Sequence, residues 1–139
     1  MTTPLLCLLL FALWTLTLII AGVGGYRVVA VLRGERPANG FPADQDHGGP
    51  GWYRRCNRAH LNCVENLPVF GAVVLVGAAA GVSTPLLATL AQVYLGARIL
   101  QSLIHILSTS TWAVNLRFTF FSAQLVCAFA MAWEIWSAA

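Results

Sequence analysis

Arg58, Asn62 and Glu65 stand at i, i+4 and i+7, which puts a cation, an amide and a carboxylate on one stripe of a helix. Further along, Arg98, Gln101 or Ser102, and His105 repeat that spacing, and Arg117 follows. These groups sit within apolar stretches, where a charge costs at least about 2.5–3.5 kcal/mol to insert into lipid and marks a functional site by default. Arginines donate to carboxylates in paired, charge-assisted bonds, and a carboxylate accepts an ammonium or amide N–H. Convergence of the three sets would make a pocket for a polar, partly anionic ligand. The alternative is a network that only ties helices together, for example Glu65 paired with Arg98. Cys56, His60 and Cys63 also stand at i, i+4, i+7, on the opposite face of the same helix. Soft ligands at that spacing suggest zinc, but structural zinc sites close with four ligands and no fourth is at hand, so no metal is expected.

The elements that must position these residues are membrane spans. Of 139 residues, 58% are apolar and 9% charged, too little polar surface for a water-soluble domain of this length. A bilayer core takes about 20 apolar residues per helix. The pattern predicts an all-α fold, one domain of four transmembrane helices over about 4–32, 58–82, 85–107 and 114–136. The first span has no Lys or Arg before it and exceeds a signal h-region of about 7–15 residues, so it reads as an anchor that stays. Residues 33–57 are rich in Gly, Pro and Asp and read as a loop, with His47 solvated and Trp52 and Tyr53 at the interface. Pro68 predicts a bend past Glu65, and Thr84-Pro85 predicts an N-cap and first helical residue. Cys7, Cys56, Cys63 and Cys127 show no C-x-x-C spacing and read as buried thiols.

All eight basic residues are arginine, and Arg27, Arg33, Arg36, Arg54, Arg55 and Arg58 crowd in or beside one loop. That cluster between apolar spans is what insertion topology predicts, and it argues against nucleic acid as the partner. It places loop 33–57 in the cytoplasm and both termini on the opposite side. The brevity of the chain and its lack of organelle signals point to a bacterial inner membrane. The polar sets then fall in the cytoplasmic halves of their spans, Glu65 lying roughly 10 Å beyond Arg58.

The run RAHLNCVENLPVF (Arg58–Phe70) resembles the signature R-[AV]-[HQ]-x-N-x-x-E-x-x-P of the MAPEG family, membrane-associated proteins in eicosanoid and glutathione metabolism. GARILQSLIHI (Gly96–Ile106) resembles that family's third helix, and NLRF (Asn115–Phe118) the start of its fourth. The resemblance implies a homotrimer with glutathione as cosubstrate near the cytoplasmic face. It implies that Arg58, Asn62, Glu65, Arg98 and Gln101 hold the tripeptide, with Arg33 or Arg36 meeting one of its carboxylates. Arg117 resembles the arginine placed beside the thiol in the family's leukotriene-C and prostaglandin-E synthases. Site tyrosines of leukotriene-C synthase are matched here by Asn66, Gln101 and His105, and His105 could share the activating role.

The implied activity is a glutathione-dependent transferase or peroxidase acting on lipophilic electrophiles or hydroperoxides that arrive from membrane lipid. A thiol of ordinary pKa, about 8.5, holds little thiolate at neutral pH, and an arginine beside it in a poorly hydrated pocket favours the anion. The rival is a non-catalytic lipid-binding or scaffolding protein of the same fold. A small multidrug exporter would want an ionisable residue deep in the first span, and none lies between Leu5 and Gly25. The topology has a direct test. In Asn39→Cys, impermeant thiol reagents should label the loop only after the cytoplasmic side is opened, and labelling of intact cells would reverse the orientation.

Overall fold

The computed structural model describes residues 1–41 and 48–138; His47, read above as solvated, lies outside them. The described chain is all-helical, and four helices are long and apolar enough to cross a membrane: α1 (Thr3–Leu32), α2 (Gly51–Ala79), α3 (Pro85–Leu107) and α4 (Thr111–Ala138). Pro4 opens α1 within its first turn, where a missing N–H costs nothing. Over Leu18–Gly24 the helix widens to π-type hydrogen bonding, and the Gly25 N–H bonds the Ile20 carbonyl. Glycine allows this bulge: a Cβ on Gly24 would stand 3.0 Å from the Ile19 carbonyl oxygen.

Helix α2 begins at Gly51, seven residues ahead of the span start expected at 58, with extended Pro50 (φ −65°, ψ 150°) as its N-cap. Apolarity marks where a helix enters lipid, whereas hydrogen bonding marks where it begins. Tyr53, Arg54 and Arg55 are therefore helical although they follow a polar loop. The helix continues through Pro68 to Ala79. Helix α3 starts as the sequence predicts, the Thr84 Oγ1 accepting the Leu87 N–H at 3.1 Å with Pro85 next in line. Ser110 caps α4 in the same way, accepting the Ala113 N–H at 3.2 Å, so the α3–α4 link is shorter than the expected 108–113.

The core is aromatic at its centre. Phe70 of α2 stacks on Tyr94 of α3 at 4.3 Å, and Phe11 of α1 leans on both at 6.0 and 6.2 Å. Cys7, Cys63, Cys127 and Met131 fill the space around them. All four cysteines are free and buried. Outside, Leu13, Ile20, Val69, Leu75, Val126 and Phe129 are exposed, a surface that water would oppose and acyl chains accept.

At the end carrying the arginine-rich loop, Tyr26 packs on Tyr53 at 4.3 Å and edge-on against Trp52, while Arg27 Nε donates to the Tyr53 hydroxyl at 3.0 Å. Gly22 brings α1 against α2: a Cβ there would lie 3.0 Å from the Cys56 Cβ, an atom fixed to its backbone. Gly96 of α3 faces open space. Gly22→Ala should therefore destabilise the solubilised protein by about 1–3 kcal/mol of overpacking, measured by thermal unfolding. Gly96→Ala should be neutral or stabilising by up to about 1 kcal/mol.

Candidate functional site

Three helices each supply one edge of a groove of about 390 Å³. Helix α2 contributes Asn62, Glu65 and Asn66; α3 contributes Arg98, Gln101 and His105; α4 contributes Val114, Arg117, Phe118 and Phe121. That size lies in the range of about 300–1,000 Å³ usual for small-molecule sites. The spacing rule of the sequence is thereby realised in space, because residues three or four apart on each helix line one wall.

Arg98 is the deepest member, 1% exposed. Its guanidinium lies over the Phe11 ring at 5.7 Å, and its Nε and Nη2 have no hydrogen-bond partner among the described residues. Glu65, exposed on α2, makes no ion pair with any described residue, so the Glu65–Arg98 pair that would explain both as structural is not formed. A cation with no ion-pair contact at the back and a carboxylate at the rim leave the groove suited to a zwitterionic or anionic guest.

At the α4 side the partners are directional. Arg117 Nη1 lies 2.8 Å from His105 Nδ1. Arginine only donates, so His105 Nδ1 accepts, and the imidazole is the neutral form bearing its proton on Nε2. Gln101 Nε2 donates to the Arg117 carbonyl at 3.1 Å, and Gln124 Nε2 donates to Gln101 Oε1 at 3.0 Å. Asn66 turns back on its own helix, donating to the Asn62 carbonyl at 2.8 Å.

The remaining candidates stand elsewhere. Arg58 is exposed and outside the groove lining, on the α2 stripe that leads to Asn62 and Glu65. Arg33 makes an exposed pair with Glu35 at 3.9 Å, and Arg36 lies over the Phe41 ring at 5.7 Å. Neither lines the groove of its own chain. The zinc-like triad is taken up by packing: Cys56 lies against Gly22, His60 Nδ1 donates to the Thr15 carbonyl at 3.2 Å, and Cys63 Sγ meets Ser102 Oγ at 3.5 Å. Among the described residues no three metal-ligating side chains gather.

The polar stripes of the sequence leave out Gln124, although it lies seven residues after Arg117, the same i, i+7 relation that singles out Glu65. The sequence marks Arg55 only as a member of the topological cluster. Its Nε donates at 2.6 Å to the Ile106 carbonyl, capping the last turn of α3 with a cation.

In a comparison to known families, the MAPEG family matches residues 4–136, the stretch that holds the four lipid-spanning helices. The chain belongs to the MAPEG family. It is an integral membrane protein of that family, and the match takes in all four helices. No curated protein and no solved structure matches it.

The tautomers follow from the partners and can be checked. Nitrogen NMR should show His105 protonated on Nε2 alone and His60 protonated on Nδ1, since a carbonyl oxygen can only accept. In Arg117→Ala the His105 preference for Nε2 should disappear while that of His60 stays.

Proposed function

We propose that the groove binds glutathione and that the protein is a membrane-embedded, glutathione-dependent transferase or peroxidase acting on lipophilic electrophiles or hydroperoxides. The observation that carries this reading is the gathering of Asn62, Glu65, Arg98, Gln101, His105 and Arg117 in one groove, with Arg117 and His105 in contact at one end. Family membership supports it. Glu65 at the rim would accept the tripeptide's α-ammonium, and Arg98 would answer a carboxylate from behind. Arg117 and the Nε2–H of His105 would surround the sulfur as donors. In this arrangement His105 stabilises the thiolate instead of removing its proton, because its Nδ1 is already occupied by Arg117.

The proton of the thiol would leave to water at the open end of the groove. The thiolate sulfur would attack an electrophilic carbon, forming a C–S bond while the leaving group departs with its electron pair. With a hydroperoxide the sulfur would attack the outer oxygen, forming a sulfenic acid, while the O–O bond breaks and the alkoxide leaves, taking a proton back from water to become the alcohol. A second glutathione would then reduce the sulfenic acid to disulfide and water.

The assembly belongs to the same proposal. Arg58 and Glu65 are exposed on a lipid-spanning helix, and burial between protomers would spare them that exposure. A homotrimer would bring Arg33 or Arg36 of a neighbouring copy to a glutathione carboxylate. Loop 33–57 would face the cytoplasm, where glutathione is supplied, in a membrane such as a bacterial inner membrane.

A specific feature favours the non-catalytic alternative. An apolar groove of about 570 Å³, lined by Ala72, Val73, Val76, Ala80, Ala132, Ile135 and Trp136, lies toward the far ends of α2 and α4 and is larger than the polar one. A lipid-binding or scaffolding protein would need that groove and no thiolate.

Titration of glutathione absorbance against pH separates the two readings: thiolate forming below pH 8 supports the enzyme, and its absence supports the lipid binder. Glu65→Ala should weaken glutathione binding by on the order of tenfold to a hundredfold, the worth of about 1.5–3 kcal/mol for a charge-assisted bond. Arg117→Ala should largely keep binding and lower turnover. Equal loss of binding in both variants would contradict the assigned division of labour.

A further inference from the structure

We propose that Gln124 is a positioning residue for the sulfur-facing end of the groove, acting by fixing which way the Gln101 amide points. The inference rests on the glutathione reading above for its functional consequence, though not for its geometry.

Gln124 is 1% exposed in the middle of α4 and does not line the groove. Its Nε2 makes two bonds, to the Phe120 carbonyl at 2.9 Å and to Gln101 Oε1 at 3.0 Å. Both acceptors are oxygens, so Gln124 must present its NH₂ to them, and the reversed amide would set oxygen against oxygen at both. Its own Oε1 is consequently left buried without a partner among the described residues. An unmet buried acceptor costs about 1–3 kcal/mol, and a leucine or methionine there would avoid it.

What the amide accomplishes is direction. Holding Gln101 Oε1 forces Gln101 Nε2 the other way, where one N–H reaches the Arg117 carbonyl at 3.1 Å. The second N–H of that nitrogen remains for the groove, which Gln101 lines. Reversal of Gln101 would place its oxygen beside the Arg117 carbonyl and offer the groove an acceptor in place of a donor, unfavourable beside a thiolate. The relay Phe120–Gln124–Gln101–Arg117 also anchors the backbone of the residue whose Nη1 meets His105 at 2.8 Å.

The simpler account is that Gln124 only holds α4 against α3. Gln124→Met, similar in volume and without donor or acceptor, distinguishes them. Positioning predicts turnover lower by about tenfold, the size of one net hydrogen bond. Thiolate should form at higher pH than in wild type, glutathione affinity should stay within about threefold, and the His105 Nε2–H preference should weaken. Cys127→Ala, which thins the core one helical turn away, should change none of these. A parallel fall of affinity, turnover and thermal stability in Gln124→Met would reduce the residue to helix packing, and unchanged turnover and thiolate would remove its role altogether. If Gln124→Met does not fold, Gln124→Glu keeps size and polarity but, when ionised, only accepts. The ionised form should turn the Gln101 amide round and give the same loss, whereas the protonated acid, which still donates to Gln101 Oε1, should keep the wild-type direction and activity. If the wild type forms no thiolate, the glutathione reading fails, while the His105 tautomer in Gln124→Met still decides whether Gln124 positions Arg117.

Discussion

A guanidinium sealed inside a lipid-spanning bundle sets terms that the neighbouring helices must meet. Arg98 has lost nearly all its solvent, and two of its nitrogen donors have no protein acceptor among the described residues. Its compensation is partial: the Phe11 ring on one side, worth about 0.5–2 kcal/mol as a cation–π contact, and a groove on the other. Phe11, Phe70 and Tyr94 form the aromatic layer one turn away, so α1, α2 and α3 meet where Arg98 needs a wall. Ser102 continues the strand of polar groups on α3, donating to the Arg98 carbonyl at 2.9 Å and facing Cys63 of α2. A groove lined by polar side chains beside Arg98 spares that charge direct contact with lipid, which would expel it.

That groove also explains the distribution of polarity along the molecule. At the end bearing the arginines, the helices present amides, a carboxylate, an imidazole and the tyrosine-rich contact of α1 with α2. Toward the other end, α2 and α4 enclose only apolar side chains. Glycines set the distances between walls: Gly22 admits Cys56, and Gly77 admits Ile135, whose Cδ1 would stand 2.9 Å from a Cβ there. The bundle is thus polar at the end that bears the arginines and apolar at the other, the division that the proposed reaction between a water-soluble thiol and a lipophile would use.

Direction matters as much as placement within the polar end. Arg117 has donors only and carbonyl oxygens accept only, so the protons of His105, Gln101 and Gln124 have one consistent arrangement. Each amide in that relay is read from a backbone carbonyl at one of its ends. Side chains held in this way offer donors to the groove without reorganising, which is how a fixed site favours an anion over its conjugate acid.

Residue order alone implies a lipid solvent, the helices and the stripes. Apolar runs long enough for a bilayer, Thr84 before Pro85, and Arg58-Asn62-Glu65 at helical spacing are local facts, and local facts survive whatever the helices pack against. It marked Gln101, His105 and Arg117 because polar residues in lipid are conspicuous. It left α2 short at its start, since hydropathy is silent about hydrogen bonding in a polar segment. Packing decided which stripes share a groove, because that depends on how three helices rotate about their axes, and close contacts such as Gly22 of α1 on Cys56 help to set the rotation of α2. It likewise decided that Glu65 and Arg98 form no ion pair, that Cys56, His60 and Cys63 disperse into packing, and that Gln124 holds the Gln101 amide from behind the groove. Each outcome turns on distances of a few ångströms between residues far apart in the chain, and spacing along one helix carries no information about them.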